Sequence, residues 1–98
     1  MEALLRCRIS RGMFSREVAV CGVTADGAEF SLFVPEDFVE VDESEVGTAT
    51  VDGWLLVEVL AREGGRMLVR LPGQTFENGQ TVTLSDSQVE FRHRREAV

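Results

Sequence analysis

The feature that most constrains this chain is its punctuation. Asp26–Gly27, Gly64–Gly65 and Asn78–Gly79 are two-residue pairs of the kind that accept the positive φ of tight hairpin turns. Asp52–Gly53 reads as a fourth such pair, and Leu71–Pro72–Gly73 as a turn in which Pro sets φ and Gly relieves it. Short β-rich runs fall between these marks, over 3–10, 16–23, 28–34, 38–41, 54–61, 66–71, 80–84 and 88–91. Several of them alternate. Leu5, Cys7 and Ile9 oppose Arg6 and Arg8; Phe30, Leu32 and Val34 oppose Glu29 and Ser31; Val82 and Leu84 oppose Thr81 and Thr83. Period two with polar partners predicts half-buried strands. No window of a dozen residues sustains a 3.6 period. The helical content expected is therefore one turn near 35–38 and one near 85–87. The pattern predicts an all-β small barrel, one form of which is a pseudo-two-fold barrel of two three-stranded halves.

The pseudo-two-fold reading rests on a 50-residue offset. Placing each residue against the one 50 later brings Leu5, Cys7 and Ile9 onto Leu55, Val57 and Val59, and Leu32 and Val34 onto Val82 and Leu84. Pro35-Glu36-Asp37 falls on Ser85-Asp86-Ser87. Four aligned pairs are identical: Leu5 with Leu55, Arg16 with Arg66, Val39 with Val89 and Glu40 with Glu90. The turns do not align, since Asp26–Gly27 misses Asn78–Gly79. An internal repeat of 1–48 and 51–98 and a chance match between two meanders both fit this pattern.

The stretch from Gly53 to Phe91 resembles the later part of an SH3-like barrel. A long strand from Trp54, a Gly-Gly hairpin, a second strand, a longer loop closed by Asn78–Gly79, a third strand, a single turn and a short closing strand follow in that order. FVPEDFVEV, residues 33–41, resembles the end of a signalling SH3 domain. That resemblance implies a groove for Pro-rich peptides lined by Pro35 and Phe38. The aromatic-rich ALYDY-type segment of that family is missing and the chain has no Tyr. Pro-peptide grooves need several aromatics, so the resemblance implies a fold and not that activity.

Ninety-eight residues suit one compact domain, expected over 1–91, with a basic flexible tail over 92–98. No apolar run approaches the length of a membrane span. Glu2, Arg6 and Arg8 interrupt the stretch where a signal peptide would be apolar, so a cytoplasmic protein without membrane contact is expected. The net charge of -7 argues against nucleic-acid binding as the main task, because that binding works by cationic neutralisation of phosphates. Residues 1–50 hold 10 acids and 4 arginines, with Glu40, Asp42, Glu43 and Glu45 crowding one segment that reads as a solvated linker or an acidic docking strip. All ten basic residues are arginine.

Candidate functional residues are few. Arg11-Gly12-Met13-Phe14-Ser15-Arg16 puts two large apolar residues at a predicted hairpin tip, where polar residues are expected. Either Met13 and Phe14 form an exposed anchor rimmed by Arg11 and Arg16 for a protein partner or a second subunit, or the loop folds back and Phe14 plugs the barrel end. Trp54 reads as a core or end-cap aromatic, or as a stacking platform for a base. With Arg92, Arg94 and Arg95 of the tail it would make a nucleic-acid- or ribosome-associated barrel, the alternative reading. A third class is a small-ligand binder using the barrel mouth.

Cys7 and Cys21 would sit roughly opposite each other on antiparallel strands. That makes a bridge conceivable, although reduced, half-buried thiols are expected in a cytoplasmic protein. No metal-ligand spacing is present, no cofactor motif such as GxxxxGK[ST] or GxGxxG occurs, and the single histidine is His93. The sequence therefore predicts a non-catalytic, cofactor-free protein-interaction or self-assembly module, with an unknown protein or a second copy as partner.

Overall fold

The fold was analysed in a computed structural model that describes residues 1–41, 50–73, 75 and 79–91. Eight strands form one antiparallel sheet: β1 (Glu2–Arg11), β2 (Glu17–Val23), β3 (Glu29–Pro35), β4 (Val39–Glu40), β5 (Val51–Glu63), β6 (Arg66–Arg70), β7 (Thr81–Ser85) and β8 (Val89–Glu90). Every predicted strand is present. The two predicted single turns are 3-10 turns, Glu36–Phe38 and Asp86–Gln88, and no α-helix occurs among the described residues. The strand order is β3-β2-β1-β5-β6-β7, and the sheet is curled into a half-barrel with its buried positions on one face.

The pairings of the two short closing strands are related by a 50-residue shift, whereas β6 follows β2 at an offset of 49. β1 and β5 run antiparallel at the centre, from Glu2 opposite Glu58 to Ile9 opposite Val51. β4, from the first half, pairs with β5, placing Val39 opposite Leu55 and Glu40 opposite Trp54. β8, from the second half, pairs with β1, placing Val89 opposite Leu5 and Glu90 opposite Leu4. A 50-residue shift carries one set onto the other. Each half thus receives its closing strand from the other half. The 3-10 turns are anchored at neighbouring rather than identical places: Glu36 N donates to Arg16 O and Asp86 N, 50 residues on, to Gly65 O, 49 residues on, each at 2.9 Å.

The two turns start by different chemistry. Pro35 has φ -62 and sets the first without a side-chain cap. Ser85 and Gln88 form a capping box at the second, with Gln88 Oε1 accepting from Ser85 N at 2.8 Å.

The core is one cluster drawing on both halves. Leu5, Ile9, Val20, Phe30, Leu32 and Val34 from the first half meet Leu55, Met67, Val69, Leu71 and Leu84 from the second, all essentially inaccessible to water. Each such side chain contributes roughly 1.5–3 kcal/mol of transfer free energy. Alternation made these positions readable, since inward residues recur every second place. The sheet edges are partly covered by the turns of the opposite half. Ala25 N, beside the β2–β3 turn, donates to Thr83 O of β7 at 2.9 Å, and Gly73 packs near Phe33 O of β3. Strand addition along these edges therefore meets an obstruction.

Asp52–Gly53 is not a turn. Both residues lie inside β5, which begins at Val51, with Gly53 opposite Cys7. Glycine is needed there for close approach: a Cβ would collide with Val41 Cγ1 and lie 2.6 Å from Ile9 Cδ1. The cysteines also differ from expectation. Cys21 pairs with Arg8 and is exposed, whereas Cys7 is buried on the inner face; the thiols point to opposite sides of the sheet and are free. A one-residue difference in register separates the two arrangements, because it flips a side chain to the other face.

Gly53→Ala should destabilise the fold by about 1–3 kcal/mol through overpacking at the β1–β5 seam, read as a lower midpoint in urea. An unchanged midpoint would mean that β4 and β5 are further apart than described.

Candidate interaction site

The β1–β2 connection is a well-defined loop. Gly12 N donates to Glu17 O at 3.1 Å and Glu17 N to Phe14 O at 3.2 Å. The Glu17 carboxylate accepts from both Met13 N and Phe14 N, at 3.1 and 3.2 Å. Gly12 has no room for a side chain, since a Cβ would sit 2.6 Å from Glu17 O. Arg16 takes φ 66, and its guanidinium lies 3.6 Å from the Glu36 carboxylate. Exposed, that pair contributes little energy. With its backbone held internally, the loop points its side chains outward. Met13 is 73% exposed and Phe14 70%, against 41% for Leu60 and 40% for Leu68. Phe14 does not plug the barrel. Arg11 and Arg16 flank the tip and are exposed.

The related hairpin in the second half is shorter. Between the paired residues Arg11 and Val18 lie six residues; between Arg62 and Met67 lie four. Gly64 and Gly65 close the latter at φ 60 and 81, with open space where a side chain would stand. The two additional residues of the first hairpin correspond to its apolar tip. Hairpin closure at this place in the fold does not require them.

A second feature lies near the first 3-10 turn. An open groove of about 410 Å³ runs between β5, β6 and that turn. Phe38, Leu56, Leu71 and Pro72 supply its apolar lining. Glu58 and Arg70 lie on it as an ion pair at 2.9 Å, and the Arg70 hydrogen bond holds the Glu58 carboxyl below the usual carboxylate range. Of the two residues implied by the SH3 resemblance, Phe38 is half-buried and lines this groove, while Pro35 is exposed at the end of β3. The sequence offered no signal for the groove, whose walls come from five separated segments: Met1 and Glu2, Phe38, 56–58, 70–72 and Gln80.

Trp54 lies within β5 on the outer face, not at a barrel end. It is half-buried, opposite Arg6, whose guanidinium lies 5.7 Å from its ring centre. A similar stack joins Arg62 and Phe91 at 4.8 Å. Arg92, Arg94 and Arg95 lie outside the described residues, as do Asp42, Glu43, Glu45 and His93. Among the described residues no group of three His, Cys, Asp or Glu side chains could hold a metal ion, and no helix is long and apolar enough to cross a membrane. No protein family's model matches the chain, and no curated protein or solved structure resembles it significantly.

Cys7 is held as a neutral thiol. Burial, then the nearby Cys21 and Asp52, push it from 9.0 up to about 12. Iodoacetamide should therefore label Cys21 alone in the native protein, and both thiols in denaturant, as counted by intact mass. Two native labels would contradict the assigned faces. The folded protein keeps the Cys7 proton between pH 9 and 12, where the unfolded chain has lost it. Stability should thus fall as pH rises above about 9, and Cys7→Ala should remove that component of the slope.

Proposed function

We propose that this chain is a non-catalytic interaction module that docks through the tip of its β1–β2 hairpin. One observation carries the reading. The tip adds two large apolar residues where the related hairpin closes with Gly64–Gly65, and it holds them out on a hydrogen-bonded loop. Exposing Met13 and Phe14 gains nothing for folding. Aromatic, Met and Arg side chains are enriched at interface cores, and a preorganised tip loses little entropy on binding. Phe14 is the anchor in this scheme, Met13 widens the apolar contact, and Arg11 and Arg16 select acidic groups at the partner's rim.

The element order supports an SH3-like barrel class for each half: three strands, a 3-10 turn and a short closing strand, with the closing strands exchanged. Fold class alone does not specify the partner.

The test is capture from native lysate at low salt, with and without nuclease, comparing wild type with Phe14→Ser. Phe14→Ser should melt within a few degrees of wild type, since a surface change typically moves stability by no more than about 0.5 kcal/mol. Proteins retained after nuclease and lost from the variant are the expected result. Capture that Phe14→Ser leaves intact would refute the tip. Nucleic acid recovered by both forms, with bound proteins released by nuclease, would move the reading to Trp54 and the tail arginines.

A further inference from the structure

Resting on the reading of the tip as an anchor, we infer that Glu17 is its positioning residue, and that the tip enters an apolar pocket with no hydrogen-bonding groups on its floor. Glu17 sets the shape of the loop and satisfies its backbone, so the receiving surface has only carbon to supply.

Seating Met13 and Phe14 in a partner takes water away from their amides as well as from their side chains. An amide left without an acceptor in apolar surroundings opposes docking. Glu17 removes that penalty beforehand. Met13 N and Phe14 N both donate to one oxygen, Glu17 Oε1, at 3.1 and 3.2 Å. Glu17 N in turn donates to Phe14 O at 3.2 Å. A carboxylate is a stronger acceptor than a carbonyl, which suits one atom that holds two donors. Polar groups on a pocket floor would find no free amide on either anchor residue. Loss of the carboxylate leaves the carbon surface of Met13 and Phe14 unchanged but turns their amides to water, which docking must then strip away.

The comparison of the two halves ties this carboxylate to the tip. Glu17 stands at the first position of β2, opposite Pro35; the corresponding residue of the second half, opposite Ser85, is Arg66. Arg66 pairs with Asp26 at 3.3 Å, and its own hairpin closes on Gly64 and Gly65. The hairpin that carries the apolar tip thus has an acceptor at this position, and the bare hairpin has a cation. Gly12 makes room for the acceptor. A Cβ there would stand 3.0 Å from Glu17 Cγ and 2.6 Å from Glu17 O, so a side chain at 12 would push the Glu17 stem off the loop. A loop held in one shape before contact loses less freedom on binding.

Three variants separate the roles. Glu17→Ala removes the acceptor, Glu17→Gln keeps a neutral carbonyl oxygen at the same reach, and Phe14→Ser removes the anchor. Thermal melting confirms that each is folded; Glu17→Asp, whose side chain is too short to reach both amides, replaces Glu17→Ala if that variant does not fold. Amide hydrogen exchange followed by NMR should quicken by about tenfold at Met13 and Phe14 in Glu17→Ala, the strands β1 and β5 staying as in wild type, and Glu17→Gln should restore most of the protection. The binding probe is the set of lysate proteins that wild type retains after nuclease and Phe14→Ser loses. Over a series of bait concentrations their retention should weaken about tenfold in Glu17→Ala and less in Glu17→Gln. A benzophenone ring placed at position 14 should crosslink to apolar side chains of those proteins.

Glu17→Ala that retains the same proteins as well as wild type, while Phe14→Ser loses them, would overturn the role of Glu17 and leave the tip standing as an anchor. Unchanged exchange at Met13 and Phe14 in Glu17→Ala would overturn it as well. Crosslinks confined to polar or charged side chains would overturn the apolar pocket. An empty set of Phe14-dependent proteins would overturn the anchor and this inference together.

Discussion

The antiparallel seam between β1 and β5 is the interaction on which the rest of the structure depends. Eight consecutive residue pairs, from Glu2–Glu58 to Ile9–Val51, join the first strand of one half to the first strand of the other. Each of these strands then accepts the closing strand of the opposite half, β8 on β1 and β4 on β5. Val39 and Val89 pack against the common core from these short strands. A half taken alone would lack its closing strand and expose the inner faces of Leu5 or Leu55. One buried cluster therefore serves both halves, and Gly53 is required where the seam is most crowded.

Two-fold pairing also explains where the fold is free to vary. The closing strands and core positions such as Leu5 and Leu55 or Leu32 and Val82 keep the 50-residue relation, while β6 follows β2 at 49. The departures lie outside them. Pro35 replaces a Ser–Gln capping box, and both devices start the same turn. The Met13–Phe14 tip replaces a bare Gly-Gly turn, and Phe38 stands where Gln88 bridges to Val23. The first leaves an exposed apolar knob, and the second lies at an open groove lined by polar and apolar groups alike. Neither contributes to closing the sheet, so the surface chemistry most suited to binding sits where folding places few demands.

The ion pairs Arg16–Glu36, Arg66–Asp26 and Arg70–Glu58 are exposed and link neighbouring segments. Such pairs orient surfaces but stabilise weakly. Arg6 on Trp54 and Arg62 on Phe91 cover aromatic faces that would otherwise meet water. The tip is the place where large apolar side chains are left most open away from the chain's first residue.

Much of this was legible in the residues themselves. Turn pairs bounded the strands found among the described residues, and alternation marked β1, β3 and β7, because side chains of an extended chain point to opposite faces every residue, a property of local covalent geometry. Pro35 and Ser85 marked the two single turns, and apolar residues at a turn marked Met13 and Phe14 before any contact was known. Register was another matter. Asp52–Gly53 has the composition of a turn, yet Gly53 serves a strand crossing, since the approach of Val41 and Ile9 is visible only once β4 has paired with β5. Cys7 and Cys21 alternate plausibly in either of two registers, and only the pairing of Cys21 with Arg8 put them on opposite faces. The groove needs the chain's first residues, the first 3-10 turn, β5, the end of β6 and Gln80 together, segments that sequence order does not join. The sequence by itself determined the elements and the exposed apolar tip, because both follow from neighbours in the chain. Tertiary structure alone decided the exchange of closing strands, the separation of the thiols and the recess, because each depends on which distant strand wins the hydrogen bonds of another.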